Sequence, residues 1–208
     1  MIRESPHPSA VDSLTPEERQ TLLKIARSTA MRALGLPVPL NPTTNSLSGN
    51  CDELRAGRRF GGIFVTLWRG GTLRGCIGTL GPVDDLTRVV PEVTRLALMD
   101  ARFVHDPVSA AELSDLRIEI SLLSEPKPAD QPLSLIPGTH GLIVRRGPRS
   151  GCFLPKVAAD RGWTAEETLR HCCEMKAGLP ADAWRDADTE VLLFTAETFT
   201  EGDACIHE

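Results

Sequence analysis

Hydrophobic positions along the chain alternate between two periods. Leu22, Ile25, Ala26, Ala30 and Ala33 recur at helical spacing. Thr15-Pro-Glu-Glu18 precedes them as a start signal: a capping threonine, a proline at the first helical position, and Glu18 to close a capping box. Gly35 and Pro37 end this helix. From Ile63 to Trp68 the chain is apolar and β-branched, and Gly70-Gly71 marks a tight hairpin turn into a return strand over Thr72 to Thr79. Gly81-Pro82 is read as a turn. A second helix runs from a cap at Asp84 or Asp85 to about Leu98, with Leu86, Val89, Val90, Val93, Leu96 and Ala97 on its apolar side. Pro91 predicts a kink there, or the start of a second segment.

The second half repeats the mixture. A short helical turn over 109–114 leads into a strand over 116–124. Leu116, Ile118, Ile120 and Leu122 take one side of it, and Arg117, Glu119 and Ser121 the other. Pro126, Pro128 and Pro132 interrupt regular structure, and 133–136 is expected to pair briefly. A turn at Gly138-Thr-His-Gly141 opens a second hairpin, 142–146 with 152–154. A short helix at 157–160 follows. Thr164 and Glu167 form another capping box, opening a helix to about Ala177 that stops at Gly178. The last strand is expected over 190–200. Helices interspersed with hairpins predict an α+β fold, mostly antiparallel sheet with flanking helices. Residues 1–13 read as a flexible N-terminus, 36–60 as a long polar loop, 14–201 as the folded domain and 202–208 as a tail.

Composition narrows the class. With 208 residues, 41% hydrophobic and 25% charged, the chain has the make-up of a soluble globular protein with a sizeable core. A formal charge of −5 argues against a broad nucleic-acid-binding surface. No apolar run has the length of a membrane span, and the first residues carry no secretory pattern. The six cysteines contain no C-x-x-C pair, so free thiols in a cytoplasmic setting are expected and no metal site is. His171-Cys172-Cys173 and Cys205-Ile-His207 are the densest ligand-type clusters. Adjacent residues on a helix diverge, so neither is read as a site. Phosphate-cradling glycine loops and the G-x-S-x-G nucleophile turn are absent.

Candidate chemistry gathers on the return strand of the first hairpin, which carries Arg74, Gly75, Cys76 and Gly78. Glycines inside a strand signal a bulge or a close approach to the backbone. Alternation places Arg74, Cys76 and Gly78 on one face and Leu73 and Ile77 on the other. A cation beside a thiol favours the thiolate. The plainer alternative is a buried cysteine in a glycine-loosened core strand. Asp100 and Arg102 read as an ion pair holding a loop, or as binding groups. Cys76, His140 and Glu119 supply the parts of a nucleophile, base and orienter, though far apart in sequence.

Leu73-Arg-Gly-Cys-Ile-Gly78 resembles the six-residue signature of the AMMECR family. Phe64-Val-Thr-Leu67, Asp100-Ala-Arg-Phe103, Ile118-Glu-Ile-Ser-Leu122, Gly138-Thr-His-Gly-Leu142, Phe153-Leu-Pro-Lys-Val157, Trp163 and Lys176-Ala-Gly-Leu179 extend the likeness over roughly Thr15 to Glu201. Two positions depart from the family pattern: Ala101 stands where proline is usual, and Lys156 where glutamine is common. The resemblance implies two unequal lobes with a cleft, the larger built from both chain ends and the smaller from the middle. It also implies association with Memo-type proteins and radical S-adenosylmethionine enzymes. This chain lacks the three-cysteine cluster motif of such enzymes, so that chemistry would belong to a partner. It names no reaction and no cofactor. Two functions therefore stand. One is an accessory or interaction component binding a small molecule, peptide or partner through Arg74, Gly75, Gly78, Asp100, Arg102 and Lys156. The other is a cysteine-dependent enzyme with Cys76 as nucleophile or redox thiol and His140 as general base.

Overall fold

The computed structural model describes residues 14–38 and 58–202. The expectations for 1–13, for most of the 36–60 loop with Cys51, and for Cys205 and His207 lie outside these residues. The fold is α+β with two four-stranded antiparallel sheets. Chain contacts divide into two compact units. One runs to Leu122 and resumes at Glu197, and the other comprises Leu123–Ala196.

In the first unit, helix α1 spans Pro16–Ala33 and begins with the expected capping box. The Glu18 backbone N–H donates to Thr15 Oγ1 and the Thr15 N–H donates to the Glu18 carboxylate. Strands β1 (Phe60–Arg69) and β2 (Thr72–Val83) form the first hairpin. Gly70 and Gly71 both hold positive φ, 53° and 82°, as a type I′-like turn requires. Helix α2 (Leu86–Leu98) packs on α1, β1 and β2. The two remaining strands of this sheet are β3 (Leu116–Leu123) and the C-terminal β8 (Ala196–Thr200), giving the order β2-β1-β3-β8 with β2 at one edge. Ile63, Val65, Leu67, Ile118, Ile120 and Leu122 are fully buried, with Leu22, Val90 and Ala97 of the helices. That packing consumes the apolar side of each amphipathic element.

Three local expectations are corrected here. Gly81-Pro82 does not turn the chain. It forms an irregularity in a ladder that continues to Phe60 opposite Val83, tolerated because β2 is an edge strand. Of the two outcomes expected at Pro91, a second segment does not form: one helix carries the proline, capped by Asp85. Arg74 is an extra residue: Trp68 faces Leu73 while Leu67 faces Gly75. This bulge shifts the alternation, so Leu73, opposite Trp68, falls on the same face as Cys76, opposite Thr66.

The second unit holds β4 (Lys127–Pro128), β5 (Gly141–Arg146), β6 (Arg149–Phe153) and β7 (Glu190–Phe194) in the order β4-β7-β5-β6. Helices α3 (Pro155–Arg161) and α4 (Ala165–His171) lie between β6 and β7 in the chain. Beyond His171 the backbone widens into a π-helical turn, Cys172–Ala177, before Gly178 closes it in the left-handed conformation. The expected single helix to Ala177 is thus two segments, and both Cys172 and Cys173 are buried in the core with Leu142, Phe153 and Leu193. The expected last strand is also two. Thr195 separates β7 from β8 (Ala196–Thr200), which belong to different sheets.

Candidate functional site

Cys76 lies on the sheet face opposite α1 and α2. Cross-strand partners share a face, so Cys76 lies beside Thr66, and Gly78 beside Phe64. The alternate residues Ile63, Val65 and Leu67 point into the helix-covered core. Thr66 Oγ1 donates to Cys76 Sγ at 3.2 Å.

The backbone of Cys76 is clamped from outside the sheet. Its N–H donates to Asp100 Oδ2 at 3.0 Å, and its carbonyl accepts from Arg102 Nη2 at 2.9 Å. Asp100 and Arg102 are joined by Nη2–Oδ2 at 2.5 Å and Nε–Oδ1 at 3.0 Å. Asp100 also caps the 3-10 turn Ala101–Phe103 by accepting the Arg102 N–H. One buried carboxylate and one guanidinium therefore satisfy both polar groups of an edge-strand residue. Ala101, in place of proline, leaves this turn formed. The Arg102 hydrogen bonds, outweighing the cost of burial, hold the Asp100 carboxyl down at about 2. The Arg102 side chain remains 54% exposed.

The thiol responds the other way. Burial is the largest influence and pushes the Cys76 thiol up. Thr66 and the Arg102 charge pull it down, while the Asp100 and Glu119 carboxylates add to the rise. Glu119 on β3 is half-buried and near enough to act on the sulfur. Arg74, the cation expected beside the thiol, is committed elsewhere. Its guanidinium donates to Glu112 at 3.1 and 3.2 Å and to Asp106 at 2.8 Å. Arg74 and Arg102 both lie over the Phe103 ring, at 5.9 and 5.8 Å.

The two motif glycines have packing reasons. A Cβ on Gly75 would run into the Ala97 carbonyl of α2, and one on Gly78 into the Phe64 ring and the Ile63 carbonyl. The close approach that glycine permits is made here by the protein's own backbone and ring.

His140 and Lys156 belong to the Leu123–Ala196 unit, whereas Cys76, Arg74, Gly75, Gly78, Asp100, Arg102 and Glu119 belong to the other. His140 is buried, and its Nδ1 accepts the Ile136 N–H at 3.1 Å. Its imidazole is thereby built into the turn before β5. Lys156 is exposed in the first turn of α3. Sequence alone does not mark Thr66, Phe103 or Glu112 as site residues, although Thr66 and Phe103 lie within family-like motifs. Thr66 was hidden by the bulge: an unbroken hairpin continuing from Arg69 opposite Thr72 would have set it against Gly75. Among the described residues, no group of three or more His, Cys, Asp or Glu converges as a metal site. No described helix is long and apolar enough to cross a membrane.

The motif and its clamp fall within a longer match. The AMMECR1 family model covers residues 23–199. The chain belongs to the AMMECR1 family. It is 40% identical over 196 residues to a protein of Methanothermobacter thermautotrophicus, covering 90% of this chain and 96% of that one. A Methanopyrus kandleri protein is 37% identical over 203 residues, with 91% of both chains covered. The crystal structure of an uncharacterized protein from Pyrococcus horikoshii is similar, with TM-score 0.75 and 34% identity over 91% of this chain and 94% of that one. The elements around Cys76, from β1 through β3, all fall inside the region that this AMMECR1 assignment covers.

Proposed function

We propose that this AMMECR1 chain is a binding component, using the Cys76 strand and its Asp100–Arg102 clamp to recognise a ligand or partner. The observation that carries this reading is the clamp itself. It fixes the two peptide groups that flank the Cys76 Cα and leaves a half-exposed guanidinium oriented by a buried carboxylate. Such a pre-positioned cation suits recognition of a carboxylate or another anionic group. The chain then acts as an accessory member of a modification pathway, beside Memo-type and radical S-adenosylmethionine proteins, in the association that the family resemblance implies. Among the described residues, Cys76, Cys152, Cys172 and Cys173 form no disulfide, which supports a cytoplasmic setting.

The alternative, a nucleophilic Cys76 with His140 as base, requires a thiol that ionises readily, and burial acts against that. The rate of iodoacetamide modification of Cys76 against pH separates the two. Binding predicts an apparent pKa above the ordinary thiol value of about 8.5. Co-purification with a Memo-type protein or radical S-adenosylmethionine enzyme should survive Cys76→Ser and weaken in Arg102→Ala. A reactive thiolate well below about 8.5, with association lost in Cys76→Ser, would favour the enzyme.

A further inference from the structure

We propose that the outer edge of β2 pairs with the same edge of a second copy of this chain, joining two four-stranded sheets across a two-fold axis at Thr79. The proposal goes beyond the binding reading and turns on Gly78, Thr79 and Leu80, which that reading does not require as contacts.

The direction of the backbone groups follows from the clamp. Cys76 faces Thr66 in the ladder, yet its N–H and C=O bond to Asp100 and Arg102, so this is a pair whose backbone groups point away from β1. Directions alternate along a strand. Ile77 and Thr79 therefore turn their groups towards Val65 and Ile63, and Gly78 and Leu80 turn theirs outwards. Among the described residues, the outward groups of Gly78 and Leu80 have no hydrogen-bond partner outside the sheet. Thr79 is exposed, and Leu80 is an exposed large hydrophobic residue at 40%. The run Ile77-Gly-Thr-Leu-Gly81 carries no charge and no inward-pointing lysine, the devices that normally blunt an edge.

The same edge is self-complementary in one antiparallel register. Setting Thr79 opposite Thr79 of the other copy places Gly78 opposite its Leu80 and Leu80 opposite its Gly78. These are the two residues with outward groups, so both pairs exchange backbone hydrogen bonds. One step further, the Asp100–Arg102 clamp fills the space outside the Cys76 backbone, so the other copy's chain leaves the ladder at its irregular Gly81, before Pro82. Cys76 has already committed its groups to the clamp and Pro82 has no N–H, so pairing ends without leaving a buried donor unmet. Side chains agree with the register. Leu80 lies opposite a glycine whose space is covered by the Phe64 ring, giving the exposed leucine an apolar neighbour. Charges agree too. The half-exposed Arg102 sits at the Cys76 end, and the exposed Asp84 lies just past the Pro82 end that it would meet. A closed two-fold contact of this kind buries both edges at once.

The test uses the full chain. In sedimentation velocity, the wild type is expected to shift from monomer to dimer as concentration rises. Under mild oxidation, Thr79→Cys should form a disulfide-linked dimer at least tenfold faster than wild type or Thr72→Cys, which is exposed at the far end of β2. Leu80→Pro removes an outward N–H without touching the β1–β2 ladder, and Thr79→Lys sets like charges face to face. Each should raise the dimer dissociation constant at least tenfold with an unchanged circular dichroism spectrum. If Leu80→Pro fails to fold, Thr79→Lys decides. A chain that stays monomeric at all concentrations, or a dimer that ignores Thr79→Lys and does not cross-link through Thr79→Cys, overturns the proposal. So does a dimer lost only in variants outside β2.

Discussion

Asp100 is buried at the start of a 3-10 turn, yet it accepts hydrogen bonds from two chain segments, the backbone of Cys76 and both backbone and side chain of Arg102. These bonds exist only for an acceptor, and the ionised carboxylate serves them best. Its folded-state pKa of about 2 lies below the unfolded value of 3.8. The sign follows from linkage. A depressed carboxylate contributes stability that is fully present above the unfolded value and lost as pH falls through the folded one. The Asp100→Asn chain keeps the shape but not the charge. It is expected to be less stable than wild type near pH 7 by on the order of 2 kcal/mol, with the gap closing between about pH 4 and pH 2. Urea unfolding of both proteins across that range measures the difference and cancels the titration of Glu18 and Glu112. A gap independent of pH would mean that packing, and not the charge of Asp100, carries the clamp.

Helix α2 runs from Leu86 through Pro91 to Leu98 without a break, although proline removes one backbone hydrogen bond and crowds the carbonyl four residues before it. Burial explains why it persists. Val89, Val90, Val93, Thr94 and Ala97 are buried, and the Ala97 carbonyl closes onto Gly75. Tertiary packing holds the helix against a local cost. Pro91→Ala is accordingly expected to raise the unfolding free energy by about 1–3 kcal/mol, read from the urea midpoint at constant slope. An unchanged or lower midpoint would show that the unfolded chain, stiffened by proline, dominates. The same contrast explains how far the sequence can be read. Local signals are enough for the capping boxes at Thr15 and Thr164, the Gly70-Gly71 turn, the strand expected over 116–124 and observed over Leu116–Leu123, and the family motif, because each depends on near neighbours. The bulge at Arg74, the pairing of Thr66 with Cys76 and the commitment of Arg74 to Glu112 depend on how α2 and the 3-10 turns settle against β2. No periodicity carries that information. Asp100 and Arg102 were legible as a pair, but their bonds to the Cys76 backbone were not.

The chain passes from one compact unit to the other near Leu122 and returns near Ala196, and each unit has its own sheet. In the Leu123–Ala196 unit, Leu142 is fully buried, faces Leu193 on β7 and Phe153 on β6, and belongs to the cluster that includes Cys172, Cys173 and Trp184. Truncating such a side chain leaves a cavity that neighbours fill only in part, at a cost of about 2–5 kcal/mol. Two cores with separate sheets are expected to feel that loss unequally, because cooperative opening tends to follow contiguous structural units. In Leu142→Ala, hydrogen exchange of the β5, β6 and β7 amides should accelerate at least tenfold, while the amides joining β1 to β2 keep their protection. The Cys76 clamp would then persist under conditions where the other core is already opening, and iodoacetamide modification of Cys76 should stay at its wild-type rate. Equal acceleration in both sheets would mean that the two cores open as one, and that the candidate site shares the stability of the whole chain.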